Sequence, residues 1–281
     1  MTMRLSVVVP AFNAAATLPS QLDALLTQDY DEPWEVVVVD NGSTDDTATI
    51  VQQIGASRSE IPVVRLVSTV AGAGPSHARN VGIVAAAAPV VACCDADDVV
   101  GEGWVRAMQV ALDAHPFVAG ALELDRLNPP WLVAGRGRSI ERCPAYHDDL
   151  LFPHGCNFGI HRDLFVANQF DEGWRAGEEI ELAYRLRATG VACTFVPDAV
   201  VHYRYRDGFA ATFRQARIAG RAQQMLRSLT GRGDERSTVV RRAVWLVVRS
   251  HRLFSRDGRI RWAWVAGDVV GRIGRRRDST R

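Results

Sequence analysis

Four short runs of branched aliphatic residues, LSVVVP (5–10), WEVVVVD (34–40), PVVRLVS (62–68) and PVVACCD (89–95), are apolar without polar alternation. A strand with one wet face alternates in polarity. Continuous apolar runs instead suit strands covered on both faces, as in a parallel sheet flanked by helices. The segments between them supply those helices: ATLPSQLDALLTQ (16–28), with Leu18, Leu22, Leu25 and Leu26 on one side, STDDTATIVQQIGA (43–56) and PSHARNVGIVAAAA (75–88). Strands alternating with helices predict a doubly wound α/β domain. In NGSTDDT, a Ser or Thr followed by acids reads as a helix N-cap with favourable dipole charges.

Past residue 100 the pattern loosens into Gly- and Pro-rich stretches such as RLNPPWLVAGRGRS. A helix is then expected over EEIELAYRLRATG (178–190), with Ile180, Ala183, Tyr184 and Arg187 on one stripe and Gly190 as its stop. VACTFVP and AVVHYRY read as a final pair of strands. With 281 residues, 47% of them hydrophobic, the chain can bury a sizeable core. No apolar run approaches the ~18 residues that span a bilayer, and the N-terminus reads as a strand and not a signal peptide, so a cytoplasmic soluble protein is expected. The five cysteines, Cys93, Cys94, Cys143, Cys156 and Cys193, form no C-x-x-C pair and predict neither a disulfide framework nor a zinc knuckle.

The net charge of +1 conceals a division. Residues 1–208 carry 15 arginines against 27 acids, a net −12, whereas residues 209–281 carry 18 arginines against five acids, a net +13. The expected organisation is therefore an α/β domain over 1–208 and a basic, amphipathic helical region over 209–281.

In open parallel sheets, ligands bind outside the carboxyl ends of the strands. Asp40 closes the second run, and Asp95, Asp97 and Asp98 follow the fourth, so acids from distant parts of the sequence should meet at one crevice. Carboxylates that close repel one another unless a cation lies among them. Mg²⁺ and Mn²⁺ use one or two carboxylates together with phosphate oxygens, so the cluster reads as a metal–diphosphate site.

VVVPAFNAAATL, VVVVDNGSTDDT, GAGPSHARNVGI, CCDADD, GCNFGIHR and GEEIELAYRLRATG occur in the order typical of family 2 glycosyltransferases, and the chain resembles that family over about residues 4–206. The resemblance implies a GT-A fold, an inverting transfer from a nucleoside-diphosphate-sugar, and a divalent cation, Mn²⁺ or Mg²⁺. On the donor side it implies Pro10, Ala11 and Asn13 against the nucleotide, Asp40 at base or ribose, and Gly74, Arg79 and Asn80 closing over the phosphates. Asp95 and Asp97 match the D-x-D pair, with Asp97 the direct metal ligand and Asp95 at ribose or metal; His202 stands where relatives carry a histidine near the metal. The catalytic base matches the pair Glu178 and Glu179, the family's usual Asp being Glu179 here, which leaves the choice between them open. On the acceptor side the resemblance implies Gly155 and Asn157; Trp174 either stacks on a sugar or fills a core.

Inverting transfer needs a base that takes the acceptor hydroxyl's proton as it attacks. A single-sugar, non-processive enzyme acting on a cell-envelope glycan or lipid-linked acceptor is expected. The rivals are a sugar-nucleotide pyrophosphorylase, whose glycine-rich basic first loop VPAFNAAATL lacks, and a non-catalytic nucleotide-sugar scaffold. In the tail, FAATFRQARIAGRAQQMLRSL, TVVRRAVWLVVRSHRLF and RIRWAWVAGDVVGRIGRRR interleave arginine with apolar residues. They predict amphipathic helices, either at the inner face of an anionic cytoplasmic membrane or packed on the acidic domain. Nucleic acid is not expected as a partner, because the acidic domain would oppose a phosphate backbone.

Overall fold

Three of the four apolar runs become interior strands of the sheet; the third, PVVRLVS, forms its edge, with only Val64 buried. The computed structural model describes residues 2–57, 61–69, 74–146, 150–231 and 235–274. In its first half β1 (Leu5–Ala11), α1 (Leu18–Leu26), β2 (Trp34–Asp40), α2 (Thr47–Ser57), β3 (Val63–Ser68), α3 (Pro75–Ala85) and β4 (Val90–Cys94) alternate. Next come β5 (Val99–Val100), α4 (Trp104–Ala114), β6 (Phe117–Glu123), α5 (Pro130–Arg136), β7 (Ala145–Tyr146), β8 (Leu150–Leu151) and β9 (Asn157–His161). The chain continues through α6 (Arg162–Val166), α7 (Glu178–Ala188), β10 (Thr194–His202), α8 (Phe209–Thr230), α9 (Glu235–Val248) and α10 (Arg256–Ile273).

These elements form two compact units, one of Met1–Leu127, Ser139–Gly173 and Glu178–Arg204, the other of Asn128–Arg138, Trp174–Gly177 and Tyr205–Arg281. The second unit thus takes up two segments that precede residue 209 in sequence. The arginines at 275–277, which close the last predicted segment, and residues 72–73 of the GAGPSHARN block lie outside the described residues.

The first unit is built on an eight-stranded sheet in the order β3-β2-β1-β4-β9-β6-β10-β5. β1 runs parallel to β2 and β4, and β2 to β3, as the continuous aliphatic runs require. β9 is antiparallel to both β4 and β6, so the sheet is mixed. All seven positions of β2 and all five of β4 are buried. That leaves Glu35 in the core, where its carboxylate accepts Ser6 Oγ at 2.6 Å, Arg65 Nε at 2.6 Å and the Ala87 amide at 2.7 Å. Burial pushes this group up, but those donors hold it below the usual carboxylate range, so the buried charge is compensated.

Two details depart from the sequence pattern. VACTFVP and AVVHYRY are one strand, β10, which pairs with β6 on both sides of an irregularity between Val196 and Val200. Pro197 falls in that break, where the missing amide removes no ladder bond. In α7 the buried side chains are Glu178, Ile180, Glu181, Leu182, Ala183 and Leu186, while Tyr184 and Arg187 face outward, so the inward face is rotated from the predicted stripe.

The second unit is helical. α8 and α10 cross backbone to backbone: a Cβ on Gly267 would meet the Phe213 carbonyl, one on Gly271 the Arg217 carbonyl, and one on Gly220 the Asp268 carbonyl. Ala216 and Ala263, both fully buried, continue this small-residue seam. α10 also packs on α5, where Arg136 is sandwiched between the Tyr205 ring at 4.7 Å and the Trp264 ring at 4.1 Å. Asp268, buried in this unit, is neutralised by Arg272 at 2.8 Å and Arg242 at 3.0 Å.

Gly267→Val and Gly271→Val should each force the two helices apart and cost about 1–3 kcal/mol, the usual range for overpacking a tight interior. Urea titration followed by circular dichroism would measure the loss; unchanged midpoints would show that the crossing is looser than described.

Candidate active site

The topology brings the chemistry to one edge of the sheet. Because β1, β2 and β4 are parallel, Ala11, Asp40 and Asp95 leave the sheet on the same side. β9 runs the other way and pairs Asn157 with Cys94, so Gly155 and Cys156 enter at that edge. β6 and β10 point in the same direction as β4 and deliver Glu123 and His202 there.

Arg79, on α3, is the hub. Its guanidinium is buried, with Nη2 2.8 Å from Asp95 Oδ1 and Nη1 3.2 Å from Glu178 Oε1. Burial alone would favour the neutral form, but Asp95, Glu178 and Glu179 hold its pKa above the ordinary arginine value. Glu179 Oε1 accepts the Gly155 amide at 2.9 Å. A Cβ on Gly155 would meet that same carboxylate and lie 3.0 Å from the guanidinium, which explains a glycine at this position. Burial first, and the charge of Glu178 second, push Glu179 up to about 8 against the pull of Arg79. Glu178 Oε2 and Arg79 Nε are buried without hydrogen-bond partners among the described residues. The two glutamates thus differ: one is tied to a cation, the other is desolvated.

The aspartate turn is more differentiated than its sequence. Asp97 is exposed, and its carbonyl accepts Arg204 Nε at 2.8 Å. Asp98, the third acid of the expected cluster and outside the D-x-D pair, is buried and accepts the Arg204 amide at 2.7 Å. Burial, followed by the charges of Asp97 and Asp95, pushes Asp98 well above the normal range, and its Oδ2 has no hydrogen-bond partner among the described residues. Asp95, Asp98 and Cys156 bring their ligand atoms within 4.8 Å of one another. An orphaned, buried carboxylate oxygen beside a second aspartate fits a hard divalent cation; the Cys156 thiol, with a pKa raised well above normal by burial, is a poor donor for one. The group brought together therefore contains Asp98 in place of the expected Asp97. His202 lies beside Val99 in the β10–β5 pairing, and its Nδ1 is 2.6 Å from Glu123 Oε2, which fixes the ring.

Where the donor is expected, the loops after β1 and β2 are stitched together. Asn13, with a positive φ of 49°, accepts the Thr44 amide at 2.8 Å, its own amide donates to Ser43 Oγ at 2.9 Å, and the Ala15 amide donates to Asp45 at 3.0 Å. Pro10 pairs with Val39 and Ala11 with Asp40, whose carboxylate accepts the Ser43 amide at 3.1 Å. Gly74, at φ 92°, starts α3, and its carbonyl accepts the Asn41 side-chain amide at 3.4 Å.

Some expected contacts turn inward. Asn80 bonds both backbone groups of Phe170 and also Glu172, so it anchors the segment before α7 and does not face a phosphate. Asn157 is fully buried; it accepts Trp104 Nε1 at 2.9 Å and donates to the Ala121 and Ala199 carbonyls. Its amide is spent on holding the sheet to α4, so it has no place on an acceptor surface. Trp174 is buried in the second unit beside Gly177, which favours the core reading of that residue. Reading the sequence missed Cys156 and Glu123: the first sits inside GCNFG as an ordinary small hydrophobe, and the second carries no local motif.

The family model of Glycosyl transferase family 2 matches residues 6–166. Among curated proteins, the Rhizobium meliloti succinoglycan biosynthesis protein ExoO is 34% identical over 223 residues, covering 72% of this chain and 60% of ExoO. The chain therefore spans somewhat under two thirds of that relative. Among solved structures, Staphylococcus aureus TarS 1–349 in complex with UDP aligns over 96% of this chain and 90% of its own, with a TM-score of 0.56 and 16% identity. GalNAc-T7 with UDP, GalNAc and Mn²⁺ aligns over 77% of this chain and 47% of its own, with a TM-score of 0.57 and 17% identity. These likenesses give the fold as GT-A, and, with the family match over more than half of the sequence, the chain belongs to glycosyl transferase family 2.

Proposed function

We propose that the chain transfers one sugar, with inversion, from a nucleoside-diphosphate-sugar to a hydroxyl of a cell-envelope glycan or glycolipid. The observation that carries this reading is the buried arrangement of Arg79 between Asp95 and Glu178, with Glu179 beside it and raised to about 8. A base whose pKa lies near the operating pH is the most effective kind. Support for the donor comes from the structural neighbours, TarS solved with UDP and GalNAc-T7 solved with UDP, GalNAc and Mn²⁺. Support for the acceptor class comes from ExoO, named for succinoglycan biosynthesis, and TarS, named a poly(ribitol-phosphate) β-N-acetylglucosaminyltransferase.

In this reading Glu179 takes the proton as the acceptor oxygen bonds to the anomeric carbon, and the bond to the diphosphate breaks with its electron pair leaving on the phosphate. Glu178 keeps Arg79 in place, and the stitched loops around Asn13 and Asp40 form the nucleoside wall. Asp95 and Asp98 would hold a divalent cation, which supplies charge neutralisation for the departing diphosphate; Asp97 and His202 stand close in sequence and register to this pair. A scaffold without catalysis is the poorer reading, because Glu178 is buried against Arg79 and Glu179 is held by the Gly155 amide, so neither splays into solvent.

A thermal-shift panel of UDP-, GDP- and TDP-sugars with and without Mn²⁺ should show stabilisation by one donor class that requires the metal and is lost in Asp98→Asn. Silence across the panel would overturn the donor reading. Glu179→Gln should lower kcat by about 10²–10⁴-fold while leaving donor stabilisation intact, the range expected for losing a general base; a decrease below tenfold would move the role to Glu178.

Because the folded-state pKa of Glu179 is raised from 4.5 to about 8, its favourable contribution is complete below pH 4.5 and fades as the pH climbs through 8. In EDTA, the melting temperature of Glu179→Gln should therefore gain on the parent between pH 5 and pH 8.5. A gap independent of pH would contradict the raised value.

A further inference from the structure

The three predicted tail helices do not share one environment. α8 and α10 bury their small-residue seams against each other, whereas α9 turns only one side inward. On that side Arg242 pairs with Asp268, and the Leu246 carbonyl accepts Trp262 Nε1 at 3.1 Å from α10. On the other side lies an outward stripe at helical spacing: Val240, Val244, Val247 and Val248 are 60%, 56%, 76% and 63% exposed. The turn between α9 and α10 then ends in Phe254, which is 93% exposed.

We propose that this hairpin is a docking surface for an anionic lipid bilayer. Leaving four valines and a phenylalanine in water is unfavourable, and contiguous exposed apolar surface marks an interaction site. The charges select the occupant. Arg236, Arg241, Arg249, Arg252, Arg256 and Arg259 are all exposed in the same hairpin. A second copy pairing through this face about a two-fold axis would set arginines against arginines. A polyanion such as RNA would satisfy the arginines and leave the valines wet. A bilayer with anionic headgroups meets both demands at once, since apolar side chains enter the acyl boundary while arginines remain at phosphate level.

The inference concerns the second unit alone and stands whether or not the catalytic reading does. Its test uses the full chain in co-sedimentation with vesicles of phosphatidylglycerol and phosphatidylcholine in equal parts, against pure phosphatidylcholine. Binding should be confined to the anionic vesicles and weaken with added salt. Replacing Val247, Val248 and Phe254 together by Ser should reduce the partition coefficient at least about tenfold, and Arg249→Gln with Arg252→Gln by about tenfold or more, from roughly 1 kcal/mol per arginine near such a surface. These side chains are exposed, so the circular dichroism melts of the variants should match the parent. Absence of binding to anionic vesicles, or equal binding to neutral ones, would overturn the proposal. So would a concentration-dependent dimer that the Ser variant abolishes, or binding of an RNA oligonucleotide that displaces the vesicles.

Discussion

A single buried guanidinium organises the site. Asp95 follows a strand and Glu178 and Glu179 begin a helix more than eighty residues later. Carboxylates do not share a water-poor space unless a positive charge is placed among them. Arg79 provides that charge from a third element, α3, and its burial makes the dependence mutual: the arginine needs the acids as much as they need it. The rest of the edge can be understood from this point outward. Gly155 has no side chain because a Cβ would enter the contact, and Asn80, one residue along α3, secures the segment that leads to α7.

The strands were legible because burial on both faces leaves an unmistakable trace, as in WEVVVVD, and because helices must then fill the gaps. Chain direction gave the shared edge for the same reason: parallel strands carry Asp40 and Asp95 to one side of the sheet whatever the details of the loops. Division of labour among adjacent acids was not legible. Asp97 and Asp98 are chemically identical in the sequence, and only the turn after β4 makes one exposed and the other buried. Nor could Asn157 be separated from a ligand-facing amide, since its partners Trp104, Ala121 and Ala199 are remote in sequence. The helical seam went unread because glycines in GDVVG and RIAGRA signal close approach only when the opposing carbonyl is known.

The inner arrangement of charge also explains why neighbouring glutamates behave unlike each other. Glu178 reaches the guanidinium, whereas Glu179 meets an amide dipole and feels both desolvation and its neighbour's charge. Identical side chains thus meet different partners through a difference of one position along a helix. Lengthening the usual Asp by one methylene, as Glu179 does, sets the carboxylate against the Gly155 backbone, and the missing Cβ at residue 155 makes room for it.

The seam between the β1 and β2 loops has its own consequence. Asn13, Ser43, Thr44 and Asp45 bond across thirty residues of sequence, so two loops that could fluctuate independently are fastened into one wall before any nucleotide arrives. Ordering entropy that a floppy pocket would lose at each encounter has here already been lost during folding. The wall therefore behaves as a mould with a fixed outline, and under the proposed function a change in the nucleobase it accepts calls for replaced side chains on its face and not for a new path of the backbone.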